Sequence, residues 1–403
     1  MYQPSETVLQ KYADLLVKFA LDGGKGPAPK QVVQLNVPDC AKPLFEQILR
    51  AVLDVGAYPK VNFIPTNTDR ILYEHASDDQ LTFFPTAFKR SEVDLIDHQI
   101  SIISDPNPSE LQHIDAKKIF RAMDARRAQR EWIFEKELRG AFSWTLALYG
   151  TPAMAKEAGL SIEEYWEQII LACFLDKDNP IAEWQEIQRH QVRVMKNLNA
   201  LEIDWVHIEG EHIDLTVQIG PHREWFGGSC RNIPSFEIFT SPDWRGTRGK
   251  IYFNQPLYRY GNILRDITLE FKDGLVVNAD AKVGKDVLLS MIERTNANKI
   301  GEYSLTDRRF SRITKFMANT LFDENIGGRY GNTHLALGRA YKDTFPGNQS
   351  TVTKEEWEAW GYNDSPEHTD IISTEDRVVT ATLRNGQKLI IFKDGQFVDS
   401  VYN

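Results

Sequence analysis

The chain has 403 residues, 42% of them hydrophobic and 26% charged, the balance of a soluble globular protein long enough for two or three domains. A formal net charge of −10 argues against nucleic acid or an anionic membrane as the main partner, because phosphate recognition needs a basic face. Three widely spaced cysteines, Cys40, Cys173 and Cys230, offer neither a disulfide framework nor a paired-cysteine metal site, and they fit a reducing, cytoplasmic compartment.

The elements follow in chain order. Val8, Tyr12, Leu15, Leu16 and Phe19 recur at three- and four-residue intervals and predict an amphipathic first helix. Its charges exclude a signal peptide, and no apolar run reaches the roughly 20 residues a membrane span requires. A strand over 31–37, a helix over 41–58 and a strand over 60–65 make a strand–helix–strand unit, hence a parallel sheet. Strands at 98–104 and 144–150 continue the rhythm, and a helix at 161–175 opens on a capping box, Ser161 with Glu164. The cations of Lys117 to Arg130 read as a solvated helix face.

After a long polar helix over 181–201, hairpin signals take over: Glu209-Gly210, Asp273-Gly274, Asn385-Gly386 and Asp394-Gly395, broken by one helix over 285–299. The expected class is therefore α/β, with an amino-terminal α/β domain built on a largely parallel sheet (1–200) and a strand-rich α+β carboxy-terminal domain (201–403).

Familiar hydrolase and nucleotide-binding motifs are missing from the sequence: no HExxH, GxSxG, GxxxxGK[ST] or GxGxxG. What remains is a set of acids and histidines in unusual settings. Glu237 lies in the apolar strand of "NIPSFEIFTSP" and must face either solvent or a cation, since an unpaired buried carboxylate costs several kcal/mol. Glu302 in "KIGEYSLTD" and Glu324 in "LFDENIGG" are either loop acids or ligands. His334 stands among small residues in "GRYGNTHLALGRAY", as a buried histidine bonded to backbone or as a ligand. His368 and Asp370 in "EHTD" are two apart, so an extended backbone points both to one side. Were the stretch after His334 helical, Tyr341 would stand two turns above it. Trp225, Phe226 and Trp244 offer either a pocket wall near Glu237 or core packing.

Together these types suit a hydrolytic site for two divalent cations. Carboxylates bridge and neutralise ions, imidazoles favour zinc or cobalt, and an open position takes a water that the ions activate.

"NIPSFEIFTSP", "IGEYSLTD", "TLFDENIGG", "GNTHLALGRAY" and "HTD", in this order, resemble the thermophilic aminopeptidases of aminopeptidase T and aminopeptidase S type. The likeness spans the chain and is sharpest over 231–370. It implies a dinuclear metallo-aminopeptidase acting on peptides with a free amino terminus, as a homodimer, with two divalent ions per chain: zinc, cobalt, manganese or magnesium. It implies Glu237, Glu302, Glu324, His334, His368 and Asp370 as metal ligands, with Glu302 also managing the proton and Tyr341 donating to the oxyanion. Two other readings stay open: another metal-dependent amidohydrolase or phosphoesterase, and a non-catalytic peptide-binding protein.

Overall fold

The structure is a computed structural model, and it describes residues 2–403. The chain divides into two compact units, one running up to Gln185 together with Ser229–Pro234, the other comprising Glu186–Gly228 and Ser235–Asn403.

The first unit is built on strands β1 (Val32–Pro38), β2 (Tyr58–Ile64), β3 (His98–Ile103), β4 (Ser143–Leu148) and the short β8 (Asn232–Ile233). They lie in the order β2-β1-β3-β4-β8, and each pairing is parallel. This agrees with the sequence reading, because helices such as Lys42–Asp54 supply the crossovers that parallel neighbours require. Inward-facing Val33, Leu35 and Val37 alternate along β1 and are fully buried. The expected capping box forms: Ser161 Oγ accepts from the Glu164 amide at 3.1 Å, and a Glu164 carboxylate oxygen accepts from the Ser161 amide at 2.9 Å.

The second unit contains β5 (Ile203–Gly210), β6 (Ile213–Gln218), β7 (Phe226–Gly227), β9 (Glu237–Thr240), β10 (Asp243–Phe253), β11 (Leu257–Arg259), β12 (Asn262–Lys272) and β13 (Leu275–Val283). It continues with β14 (Ile300–Thr306), β15 (Asn332–Gly338), β16 (His368–Ser373), β17 (Arg377–Leu383), β18 (Lys388–Lys393) and β19 (Gln396–Phe397). Among the described residues they form a nine-stranded sheet, β11-β12-β10-β6-β5-β17-β18-β19 with β13 on β12, and a five-stranded sheet, β16-β15-β14-β9-β7. One hydrophobic cluster takes Val206, Ile208, Val379 and Ala381 from the first sheet and Ile238, Tyr303, Leu305, Leu335 and Ile371 from the second. One face of the smaller sheet thus packs into a core, which frees its other face for a different task.

Two local expectations are corrected. The helix expected over 285–299 stops at Ile292, and four residues on Asn296 takes a left-handed backbone with φ 57, which breaks a helical path. The stretch after His334 is strand through Gly338, so Tyr341 is not placed two helical turns above the histidine. The register explains the preference: β15 is sandwiched between β14 and β16 and hydrogen-bonds on both edges.

Candidate metal centre

The five-stranded sheet assembles the centre by alternation. Antiparallel pairing sets Glu302 opposite Ala336 and Ser304 opposite His334, Ala336 opposite Asp370 and Gly338 opposite His368, and Thr306 opposite Glu237. Opposed residues share a face and residues two apart return to it. Glu237, Glu302, His334, His368 and Asp370 therefore all project from the same side of four adjacent strands. The positions between them are slim, Ser304 and Ala336, leaving room above the sheet. Gly301 makes the approach possible: a Cβ there would stand 2.2 Å from the Arg339 carbonyl oxygen, beside the irregularity that brings Glu302 into register.

The side chains converge. His334 Nε2 lies 3.1 Å from Glu302 Oε1, 3.3 Å from Glu237 Oε2 and 4.0 Å from Asp370 Oδ1. His368 Nε2 lies 3.3 Å from Asp370 Oδ1 and 3.5 Å from Glu302 Oε2. Glu237, Glu302 and His334 each offer an atom within 4.8 Å of the others, and so do Glu302, His368 and Asp370, with Glu302 common to both groups. Glu302 is 3% exposed and lies in β14, so it is not a loop acid, and His334 is 0% exposed, a buried histidine bonded to backbone whose other nitrogen faces the carboxylates. Glu237 is partly buried at the same cluster rather than turned to solvent.

Glu324 arrives from outside the sheet, at the end of the short helix Thr320–Asp323. It belongs to neither three-residue group, yet it is buried and feels the charges of Glu237, Asp370, His334 and Glu302. Tyr341 follows β15 and lays its ring 4.5 Å from the ring of His368 and 6.0 Å from that of Phe239. Phe239 shares the face, opposite Ser304, and Phe226 stacks edge-on behind it. Trp225 is core, and Trp244 packs at the rim of that core.

Both histidines are fixed through their other nitrogen. His334 Nδ1 donates to the Glu324 carbonyl at 3.2 Å, and His368 Nδ1 donates to the Arg339 carbonyl at 2.8 Å. A carbonyl can only accept, so each Nδ1 carries a proton and each Nε2 faces the carboxylates, the orienting pattern found behind metal-ligating histidines. Sequence reasoning missed the amides that hold this frame. Asn332 Nδ2 donates to the carbonyls of Glu324 and Ile326 at 3.0 and 2.7 Å, while Asn325 Oδ1 accepts the Phe236 amide at 2.6 Å, one residue before Glu237. The signal available was an asparagine near two of these positions, next to Glu324 in "EN" and two residues before His334 in "NTH".

The electrostatics are those of crowded acceptors. Burial, then the charge of Glu237, raises Glu302 to about 7. Burial and the charges of Glu237 and Asp370 push Glu324 well above the carboxylate range. Burial alone would lower both histidines, but hydrogen bonds to Glu237 and Glu302 carry His334 well above its usual value, and Asp370 lifts His368 to about 9. Burial would raise Asp370 too, yet His368 holds it down at about 2. Tyr341 is 39% exposed as a residue, yet desolvation against the cluster and then the charges of Glu302 and Asp370 raise its hydroxyl above the usual value, so it stays a protonated donor. Four carboxylates and two Nε2 lone pairs aimed at one space require cations there, either protons or metal. The donor set, hard oxygens with two imidazoles, fits divalent metal.

The model of the thermophilic metalloprotease family matches residues 5–397. Aminopeptidase 2 of Geobacillus stearothermophilus is 29% identical, across 97% of this chain and 98% of its own. Aminopeptidase T of Thermus thermophilus is 27% identical across 73% of this chain and 75% of its own. The solved structure of wild-type AmpT from Thermus thermophilus superposes with a TM-score of 0.81 at 22% identity, covering 97% of this chain and 99% of that one, a likeness that carries the fold. With a family match over nearly the full length, the chain belongs to the thermophilic metalloprotease family.

Proposed function

We propose that the protein is a dinuclear metallo-aminopeptidase, hydrolysing the first peptide bond of peptides that carry a free amino terminus. The observation that carries this reading is the pair of three-ligand groups sharing Glu302. One ion would be held by Glu237, Glu302 and His334, the other by Glu302, His368 and Asp370, with Glu324 completing the set. Four carboxylates in the cluster, Glu237, Glu302, Glu324 and Asp370, carry a formal charge of −4, which two divalent cations balance. The aminopeptidase names of the relatives support the substrate class.

Bound divalent ions supply Lewis-acid charge, which activates water and polarises the scissile carbonyl. The remaining roles fall to the chain. Glu302 accepts the proton of the attacking water and returns it to the leaving amine. Tyr341, kept protonated by its surroundings, donates to the oxyanion as it forms. Phe239 and the Tyr341 ring wall one side of the face. Every one of these residues lies in the second compact unit, within the stretch 201–403 proposed as the catalytic domain. Three cysteines that form no disulfide among the described residues fit work in a reducing compartment, and among those residues no helix is long and apolar enough to cross a membrane.

The test joins elemental analysis to a peptide panel. The expected result is about two divalent ions per chain, with hydrolysis of unblocked peptides and none of amino-blocked ones. Protein that holds no stoichiometric metal, or that cleaves blocked peptides equally well, would overturn the reading.

A further inference from the structure

The core shared by the two sheets of the second unit, on the side of the five-stranded sheet turned away from the metal centre, holds a second polar feature, one the proposed chemistry leaves unused. Arg377 opens β17 and points inward with Val379 and Ala381, which lie two and four residues on. It is 2% exposed. One terminal nitrogen, Nη1, donates to the Glu375 carbonyl at 2.8 Å, and the guanidinium carbon lies 5.0 Å from the centre of the Phe392 ring. Nε and Nη2 are buried with no hydrogen-bond partner, and among the described residues no carboxylate lies in ion-pair range of the group. The acid that acts on it is Asp376, whose side chain is on the surface.

The surroundings are hydroxyls. Tyr303 interacts electrostatically with Arg377 and is fully buried; its hydroxyl lies beside that of Thr333 without completing a well-formed hydrogen bond. It projects from β14 on the face opposite Glu302, its neighbour. Thr333 and Ser373 oppose each other across β15 and β16 on that same reverse face. Thr333 spends its hydroxyl on the Ser304 carbonyl at 2.7 Å, whereas the Ser373 hydroxyl is buried and unpartnered.

An arginine has donors and no acceptor. A buried guanidinium without a counter-charge costs several kcal/mol, and water satisfies its N–H groups but not its charge. A single anionic charge matches a single guanidinium, and full enclosure admits only a small one. We propose that this reverse face holds a halide-sized monovalent anion, bound by Nε and Nη2 of Arg377 and by the hydroxyl of Tyr303, with Ser373 on the same side. The ion is structural: it neutralises the arginine and ties β17 to the strand that carries Glu302.

Bromide is the probe. In crystals of the full chain soaked in sodium bromide and measured at the bromine edge, an anomalous peak is expected against the Arg377 guanidinium and the Tyr303 hydroxyl. Density there that carries no anomalous signal would mean water, and would overturn the proposal. In solution, the thermal midpoint in sodium chloride or bromide is expected to exceed that in sodium gluconate at equal ionic strength, rising on the order of 2–4 °C for each tenfold of halide above its dissociation constant. Arg377→Met should abolish that difference. If that variant does not fold, Tyr303→Phe should shrink it. A halide response that survives unchanged in either folded variant, or none in the unaltered protein, would overturn the proposal.

Discussion

His334 Nδ1 donates to the backbone carbonyl of Glu324 at 3.2 Å, so the histidine and the acid that flank the same loop are locked together before any ion arrives. The bond sets the imidazole tautomer and turns Nε2 toward three carboxylates. Asn332 holds the same carbonyl from the other side at 3.0 Å. Asn332→Ala should therefore leave the ligand list intact yet weaken metal binding by about 10–100-fold, the usual effect of losing an orienting partner. Competition with a chelator of known affinity would measure it.

Tyr341 is expected to act late. Tyr341→Phe should keep full metal content and similar KM while kcat falls by about 10²–10³, as for removal of a single oxyanion donor. Steady-state kinetics alongside elemental analysis would show whether the loss is in turnover or in metal.

The shared carboxylate makes the two ions unequal to mutation. Glu302→Gln should lower the content toward zero because both groups lose a ligand, whereas Glu237→Gln should leave about one ion per chain, held by the group it does not enter. Metal content after gel filtration separates the outcomes, and equal losses in the two variants would speak against a shared ligand.

Metal uptake should release protons. Without metal, His368 is protonated up to about 9 and His334 is also held well above its usual value. Both must give up the Nε2 proton to bind metal. Because the folded pKa values are raised, the metal-free form keeps these protons through neutral pH. Apparent metal affinity should then climb as pH rises through neutral toward about 9, where His368 loses its proton. Titration calorimetry in buffers of different ionisation enthalpy would count the protons released.

Gly301→Ala places a Cβ 2.2 Å from the Arg339 carbonyl oxygen, a clash with backbone that cannot rotate away. A stability loss of about 1–3 kcal/mol is expected, with Glu302 displaced and metal content reduced. Denaturant melts with elemental analysis would report both effects.

Much of the architecture could be read from pattern, since periodicity of three to four residues and of two separates helix from strand. The pair His368 and Asp370 was legible because strand geometry sends residues two apart to one side, and β16 is that strand. Glu237 was legible as a charge in an apolar strand. What pattern could not supply was partnership across strands. Glu302 and His334 are 32 residues apart and meet through the β14–β15 register, which depends on pairings made when the chain folds. The position of Tyr341 was out of reach for the same reason: its nearness to His368 depends on the turn after Gly338, not on spacing from His334. Asn332 and Asn325 look like ordinary loop amides until the carbonyls they hold are seen.

Because the cluster is mounted on alternating strand positions, its geometry is a matter of parity. Glu324, and the Arg339 carbonyl that orients His368, reach the cluster from the connections between strands, so only the stretches of those loops remote from them can lengthen or shorten without disturbing a ligand. Deleting one residue between Glu302 and Thr306, by contrast, would invert part of β14 and send an acidic group into hydrocarbon. Variation in what such a protein accepts is thus free to accumulate at the turns, while insertions and deletions inside β14, β15 or β16 are closed to it.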